Sequence, residues 1–132
     1  MQVAIAAPPV ERFRLSRDRY HTMIEKGIFG EDDHIELIEG EIVTMSPIGS
    51  EHSGIVDQLN EILVNQLAKR AVVKVQGPIQ LDEHSEPEPD IVLSKPRRDY
   101  YKRSLPTPAD VLLVIGVADS SLAYDRGVKM SL

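Results

Sequence analysis

Two short apolar runs in the second half of the chain constrain its fold more than any other feature. Residues 91–93 follow the acidic, proline-rich stretch EPEPD, and residues 111–118 form the most apolar run, VLLVIGVA. Short apolar runs of this kind are typical of strands buried inside a sheet. We therefore predict that residues 111–118 form a central strand buried on both faces, next to a short strand that begins at Asp90.

The first part of the chain predicts one helix and two strands. Ser16 is a good N-cap and Gly27 a good terminator, so a helix is expected over residues 17–26. Residues 35–38 and 42–45 carry the aliphatic and β-branched side chains of two strands, and the Glu-Gly pair between them favours a hairpin turn.

The middle of the chain predicts a longer helix and a further strand. The helix is expected to be capped by Ser50, residues 73–81 alternate as a half-buried strand in which Pro78 favours an edge or a bulge, and Ser120 or Ser121 is expected to cap a last helix. This order of elements predicts an α/β or α+β domain, with a mixed central sheet flanked by helices. The apolar residues that recur at helical spacing after Ser50 are Ile55, Leu59, Ile62, Leu63 and Leu67.

Composition limits the class of protein. A chain of 132 residues with 42% hydrophobic residues suits one small domain, which we place at residues 15–132 after a flexible tail at residues 1–14. No apolar run approaches the ~20 residues that cross a bilayer, so no membrane association is expected. The absence of cysteine excludes thiolate chemistry and fits a cytoplasmic protein.

Charge is distributed unevenly along the chain. A net charge of −6 argues against a protein that coats nucleic acid non-specifically. Residues 94–104 nevertheless interleave cations with two tyrosines, a pattern that suits phosphate contacts and base stacking and that also occurs in ordinary solvated loops. The candidate nucleic-acid-binding residues in this segment are Arg97, Arg98, Lys102 and Arg103.

The placement of acidic and basic residues around the two apolar runs fits one kind of chemistry. Hydrolysis of a phosphodiester uses a divalent cation held by oxygen ligands, which two carboxylates on adjacent strands can supply, together with a nearby lysine. Asp90 and Lys129 have suitable positions. Their simpler interpretations are a turn residue and a helix-surface lysine. His52 is expected in the first turn of the second helix, with no histidine or acid at metal-ligand spacing.

Four motifs in order resemble one known family. IELIEGEIVTMSP, EHSGIVDQLNEIL, EPEPD and LLVIGVADSSLAYDRGVK together resemble a bacterial restriction-endonuclease family that is abundant in cyanobacteria and belongs to the PD-(D/E)xK nuclease superfamily. The resemblance runs from about residue 15 to the end of the chain. It implies a restriction-endonuclease-like core, DNA as partner, and DNA cleavage that depends on Mg²⁺ or Mn²⁺.

The resemblance also implies roles for individual residues. Pro89-Asp90 matches the PD motif, which makes Asp90 a metal ligand and catalytic residue. Lys129 matches a catalytic lysine that has moved from the strand into the following helix, and Val117 then occupies its usual strand position. Glu36 matches an acidic residue that the resemblance makes an auxiliary metal ligand and catalytic residue.

The chain departs from the family pattern in two places. Gly116 stands where the family has a glutamate, which predicts weak metal binding and impaired cleavage. Family members continue beyond the lysine, and this sequence stops at Leu132, so we expect the C-terminal part of the fold to be missing. We therefore expect exposed apolar surface and a homo-oligomer, at least a dimer. The alternative function is a catalytically inactive nuclease relative with a role in binding nucleic acid or protein.

Overall fold

A computed structural model describes residues 9–45 and 49–117 of the protein. These residues form two α-helices and five strands, in an α+β arrangement that confirms the predicted fold class. The helices are α1 (Arg17–Glu25) and α2 (Ser50–Leu67), with a short 3-10 turn at Ala68–Arg70; the strands are β1 (Ile35–Ile38), β2 (Glu41–Thr44), β3 (Val72–Val75), β4 (Ile91–Ser94) and β5 (Val111–Ile115).

The strands form two antiparallel sheets. β1 and β2 make a hairpin, and β3, β4 and β5 make a three-stranded sheet in that order. A mixed sheet was expected, but every strand pairing among the described residues is antiparallel. The reason is that each connection within these sheets reverses the chain, and no helix crosses over between neighbouring strands.

The β1–β2 hairpin has the turn that its sequence predicts. Glu39 and Gly40 have φ values of 49° and 82°, the left-handed pair of a two-residue type I′ turn. Gly40 has a second reason to be glycine, because a Cβ atom there would lie 2.7 Å from the Cα of Arg14. The close approach allows Leu15 N–H to donate to the carbonyl of Gly40 at 3.0 Å.

The core lies between α2 and the three-stranded sheet. Val56, Ile91 and Leu93 are its buried centre. The predicted helical stripe is only partly correct, because Ile55 and Ile62 are 40% and 43% exposed. The half-buried residues that pack against this centre are Leu59, Leu63, Leu67, Val73, Ile115 and Val117.

The prediction for residues 111–118 was wrong in one respect. The strand forms, but β5 lies at the edge of the described sheet, and Leu112 and Leu113 are 53% and 49% exposed. β4 takes the central position because β3 and β5 pair with its two sides, and all four of its residues are buried. Apolar content alone therefore assigned the central position to β5, whereas β4 occupies it.

Two further boundaries differ from expectation. The strand predicted over 73–81 ends at Val75, because Gln76 turns with φ of 50° and Pro78 has no N–H to donate. The N-cap of α2 is Gly49 rather than Ser50, which is the first helical residue. By contrast α1 begins as predicted, with the Ser16 hydroxyl accepting from Arg19 N–H at 3.2 Å.

None of the helices in the described ranges is long and apolar enough to cross a membrane. The last predicted helix, with Ser120, Ser121 and Lys129, lies outside the described residues.

Candidate functional site

Asp90 lies directly before β4, at the point where the chain enters the centre of the three-stranded sheet. Its Oδ1 accepts a hydrogen bond from His52 Nε2 at 2.9 Å, and its Oδ2 accepts one from the backbone N–H of Val117 at 2.6 Å. The Asp90 side chain is 19% exposed and that of His52 11%. The carboxylate is thus held between the first turn of α2 and the end of β5.

The register of the sheet sets Gly116 against Asp90. Ile91 pairs with Ile115, so the next position of the same antiparallel register brings Asp90 opposite Gly116. Side chains directly opposite in such a pair have Cβ atoms about 4.5–5.5 Å apart. Gly116 is exposed, and a Cβ atom added to it would meet no described atom within 4 Å. A Cβ atom at this position would therefore lie beside the Asp90 carboxylate without a clash with any described residue.

The segment leading to Asp90 is anchored by a buried ion pair. Pro87 and Pro89 are fully buried, and Glu86 is only 5% exposed. Glu86 Oε1 accepts from Arg17 Nη2 at 2.9 Å and lies 2.7 Å from His21 Nε2, both on α1. Because a buried carboxylate is costly without such partners, this contact ties α1 to the EPEPD segment.

Glu36 lies against the same segment. Its side chain is buried in β1, and its Oε2 accepts a hydrogen bond from the backbone N–H of Glu88 at 2.9 Å. The backbones of β1 and the EPEPD segment are also hydrogen bonded to each other, since Glu86 N–H donates to the carbonyl of Leu37 at 2.7 Å. The structure therefore brings Glu36 to the residues immediately before Asp90, where it holds the backbone.

Tyr20 reports the electrostatics of this region. Its ring is 4% exposed and its hydroxyl donates to the carbonyl of Ile35 at 3.5 Å. Burial first, and then the negative charges of Glu86, Glu88 and Glu36, together raise the pKa of Tyr20 to about 12. Tyr20 of α1 is thus influenced by three carboxylates, those of Glu86, Glu88 and Glu36.

The described residues do not by themselves form a metal centre. Within the ranges 9–45 and 49–117, no group of three or more histidine and acidic side chains is placed to share an ion. Asp90 has each of its oxygens in a hydrogen bond, Glu36 bonds the backbone of Glu88, and Gly116 brings no ligand. The described carboxylates and histidines alone therefore do not complete the magnesium site that the family resemblance implies.

Arg97, one of the four candidate nucleic-acid-binding residues of the basic segment, makes several contacts within its own loop. Arg97 bonds Asp99 through Nε at 2.6 Å and the carbonyl of Ser104 through Nη2 at 2.9 Å, and its guanidinium lies 3.9 Å from the centre of the Tyr101 ring. Arg97 therefore organises its own loop. The predicted nucleic-acid contacts of all four residues stay predictions, and the side chains of Arg98, Lys102 and Arg103 are exposed.

Sequence reasoning placed His52 correctly but missed its partner. The expected first-turn position is confirmed. The contact with Asp90 joins residues 38 positions apart, so no local spacing in the sequence reveals it. The same holds for Arg17 and Glu86, which are 69 positions apart. The alternation of acidic residues and prolines in EPEPD marks the segment but does not identify the partners of its carboxylates.

The fold and this site define an α+β domain in which Asp90 directly precedes the central strand β4. The exposed Gly116, which follows the edge strand β5, lies opposite Asp90. The model of the Uma2 family, described as "putative restriction endonuclease", matches residues 17–132. The chain belongs to this family. No curated protein gives a match.

Proposed function

We propose that this protein is an impaired DNA endonuclease of the PD-(D/E)xK type, with Asp90 and Lys129 as the surviving parts of a Mg²⁺-dependent site. Membership of a restriction-endonuclease family supports nucleic acid as the partner and phosphodiester hydrolysis as the ancestral reaction. The observation that carries the proposal is the cross-strand position of Gly116 beside the Asp90 carboxylate.

The residues around Asp90 do two things in this proposal. His52 and the Val117 N–H fix the orientation of the carboxylate, so that it is preorganised at the edge of the sheet. Burial of Pro87 and Pro89 together with the Glu36 contact fixes the backbone that delivers it. Asp90 would be one ligand of a divalent ion at this site, and the ion would supply Lewis-acid stabilisation of the phosphate.

The decisive variant is Gly116→Glu. Loss of outer residues around a metal typically costs about 10–100-fold, so restoring a direct ligand should raise the rate of plasmid cleavage in Mg²⁺ or Mn²⁺ by at least about 100-fold over the present chain. The open space around Gly116 and its ordinary backbone conformation make the substitution structurally tolerable. The measurement is the rate of supercoiled plasmid nicking at fixed metal concentration.

A matched control is Gly54→Glu, which adds the same charge at another exposed glycine with open surroundings. Gly54 follows His52 by two residues, so its side chain points about 200° away around the helix axis and should leave cleavage unchanged. Adding Asp90→Asn to Gly116→Glu should abolish the gain. Equal cleavage by all four proteins would overturn the proposal.

The same observation favours a second candidate function, an inactive relative that binds nucleic acid or protein. Gly116 leaves Asp90 as the single carboxylate of the pair, and Asp90 is already hydrogen bonded at both oxygens. If Gly116→Glu is as inert as the present chain while nucleic-acid binding persists, this second function is the correct one.

A further inference from the structure

Positive charge gathers at the end of the three-stranded sheet that lies opposite Asp90. Val72 pairs with Ser94, so the 3-10 turn Ala68–Arg70 and the loop after β4 leave the sheet side by side. We call residues 68–70 and 95–110 the basic end. It contains seven lysines and arginines and two carboxylates, in a chain whose net charge is −6.

The two carboxylates of the basic end are engaged locally. Asp99 pairs with Arg97, and the hydrogen bond from that guanidinium lowers the pKa of Asp99. The Oδ2 atom of Asp110 accepts two hydrogen bonds from Thr107, one from its backbone N–H at 2.9 Å and one from its hydroxyl at 3.0 Å. The remaining cations therefore set the local charge, and all of them are exposed: Lys69, Arg70, Lys95, Arg98, Lys102 and Arg103.

The loop of the basic end is held in a fixed shape. Tyr101 is 8% exposed, and its hydroxyl donates to the carbonyl of Lys95 at 2.6 Å. Arg97 stacks on the Tyr101 ring and bonds Ser104, which closes the loop from the inside. At the base of the loop, Lys95 N–H donates to the carbonyl of Asp110 at 2.8 Å. A surface organised in this way loses little entropy when it binds a ligand.

Tyr100 is displayed at the tip of this loop. Its ring is 64% exposed, whereas that of the neighbouring Tyr101 is buried. Tyr100 and Tyr101 have φ values of 52° and 61°, a left-handed conformation that is uncommon for aromatic residues. Two consecutive tyrosines in this conformation turn one ring inward and the other outward. Backbone strain of this kind often accompanies a binding surface.

We propose that the basic end binds single-stranded nucleic acid, with an unpaired base stacked on Tyr100 and backbone phosphates on Arg98, Lys102 and Arg103. An exposed aromatic face surrounded by cations is the combination that single-strand binding surfaces use. An acidic peptide would use the cations but would gain little from the ring. The inference rests on the proposed function for the choice of nucleic acid as the polymer.

The surface is distinct from the site around Asp90. Five residue steps along β4 separate Asp90 from Lys95, which corresponds to about 17 Å. A polynucleotide held at the basic end therefore has to extend along the sheet to reach Asp90. Binding and cleavage consequently depend on different residues and are separable by mutation.

The test is fluorescence anisotropy with labelled oligothymidylate of about 12 nucleotides, a length within common single-strand site sizes, in EDTA so that no cleavage occurs. Tyr100→Gly removes the ring and suits the left-handed backbone, so the loop keeps its fold. We expect it to weaken binding roughly fivefold or more, while Tyr100→Phe binds as the native chain does. A duplex of the same length should bind less tightly than the single strand.

Charge variants complete the test. Alanine at Arg98, Lys102 or Arg103 should each reduce the slope of log affinity against log salt by about 0.7. Alanine at Lys26, the exposed C-cap residue of α1, should not change this slope. Because binding is measured in EDTA, it does not depend on cleavage, and this separates the inference from the cleavage proposal. Affinity that is indifferent to Tyr100→Gly, or poly-glutamate that competes as well as oligothymidylate, would overturn it.

Discussion

The contact between Arg17 and Glu86 shows how one buried acid decides the placement of a whole segment. The Glu86 side chain is 6% exposed and that of Arg17 18%. Removing one partner of such a pair leaves a charge in a poorly solvated place, and that is more costly than the loss of a surface pair. Glu86 also immediately precedes the two prolines that lead to Asp90. The ion pair is therefore a positioning contact for the candidate site.

We predict that Glu86→Ala lowers the free energy of unfolding by about 3 kcal/mol, because Arg17 loses its carboxylate while it remains largely buried. Urea denaturation followed by circular dichroism provides the measurement. The control is Glu41→Ala, which removes a pair with Arg12 at 3.7 Å between side chains that are 56% and 82% exposed. That change should cost less than about 1 kcal/mol. Similar losses for both variants would contradict the assignment of Glu86 as an anchor.

Tyr20 yields a prediction about alkaline pH. Its pKa in the folded protein is raised to about 12 from an unfolded value near 10, first by burial and then by Glu86, Glu88 and Glu36. A raised folded pKa means that the stabilising contribution is complete below pH 10 and is lost as the pH rises towards 12. Stability should therefore decline across this window.

Tyr20→Phe tests the assignment, since it removes the titrating hydroxyl and keeps the ring. The variant should lose the part of the alkaline decline that belongs to Tyr20, and its tyrosinate absorbance should lack the latest transition. An unchanged absorbance titration would show that the late transition belongs to another tyrosine.

At the scale of elements, two glycines with different surroundings make opposite predictions. Gly40 lies in the hairpin turn with φ of 82°, and a Cβ atom there would come 2.7 Å from Arg14 Cα. Gly40→Ala should lower the free energy of unfolding by about 2 kcal/mol or more. Gly54 lies inside α2 with no described atom within 4 Å of an added Cβ, so Gly54→Ala should raise it by about 0.5–1 kcal/mol. Thermal unfolding of both variants checks the contrast.

Sequence analysis correctly predicted the elements that have strong local signals. It was wrong where the position of a strand depends on which other strands pair with it. Ser16, Gly27 and the Glu-Gly turn have local chemistry that defines α1 and the hairpin, and both are confirmed. The order of β4 and β5 depends on which strand has partners on both sides, and local hydropathy has no information about that. The exposed Leu112 and Leu113 follow from this order.

At the candidate site, sequence reasoning identified positions but not contacts. The resemblance located Asp90, Glu36 and Gly116, and the structure adds that Gly116 is the cross-strand neighbour of Asp90. Sequence reasoning did not anticipate that His52 orients the Asp90 carboxylate or that Glu36 accepts a hydrogen bond from the backbone N–H of Glu88. Both contacts join distant residues through the tertiary fold. The role of Lys129 stays a prediction, because it lies outside the described residues.

At the scale of the whole molecule, charge among the described residues is unevenly placed. The carboxylates of Glu36, Glu86 and Glu88 act on Tyr20 in α1, and the cations of the basic end lie beyond the end of β4 that is opposite Asp90. An anionic polymer is therefore attracted to one end of a protein that is acidic overall, and this orients its approach. Self-association, which we expected from the sequence, stays a prediction.

The surroundings of Gly116 bear on how readily the missing carboxylate could be restored. A Cβ atom at this position would meet no described atom within 4 Å. Some glycine codons differ from glutamate codons by a single base, so that reversion can be one mutational step. Such a reversion would meet no steric obstacle from the described residues at its first side-chain atom.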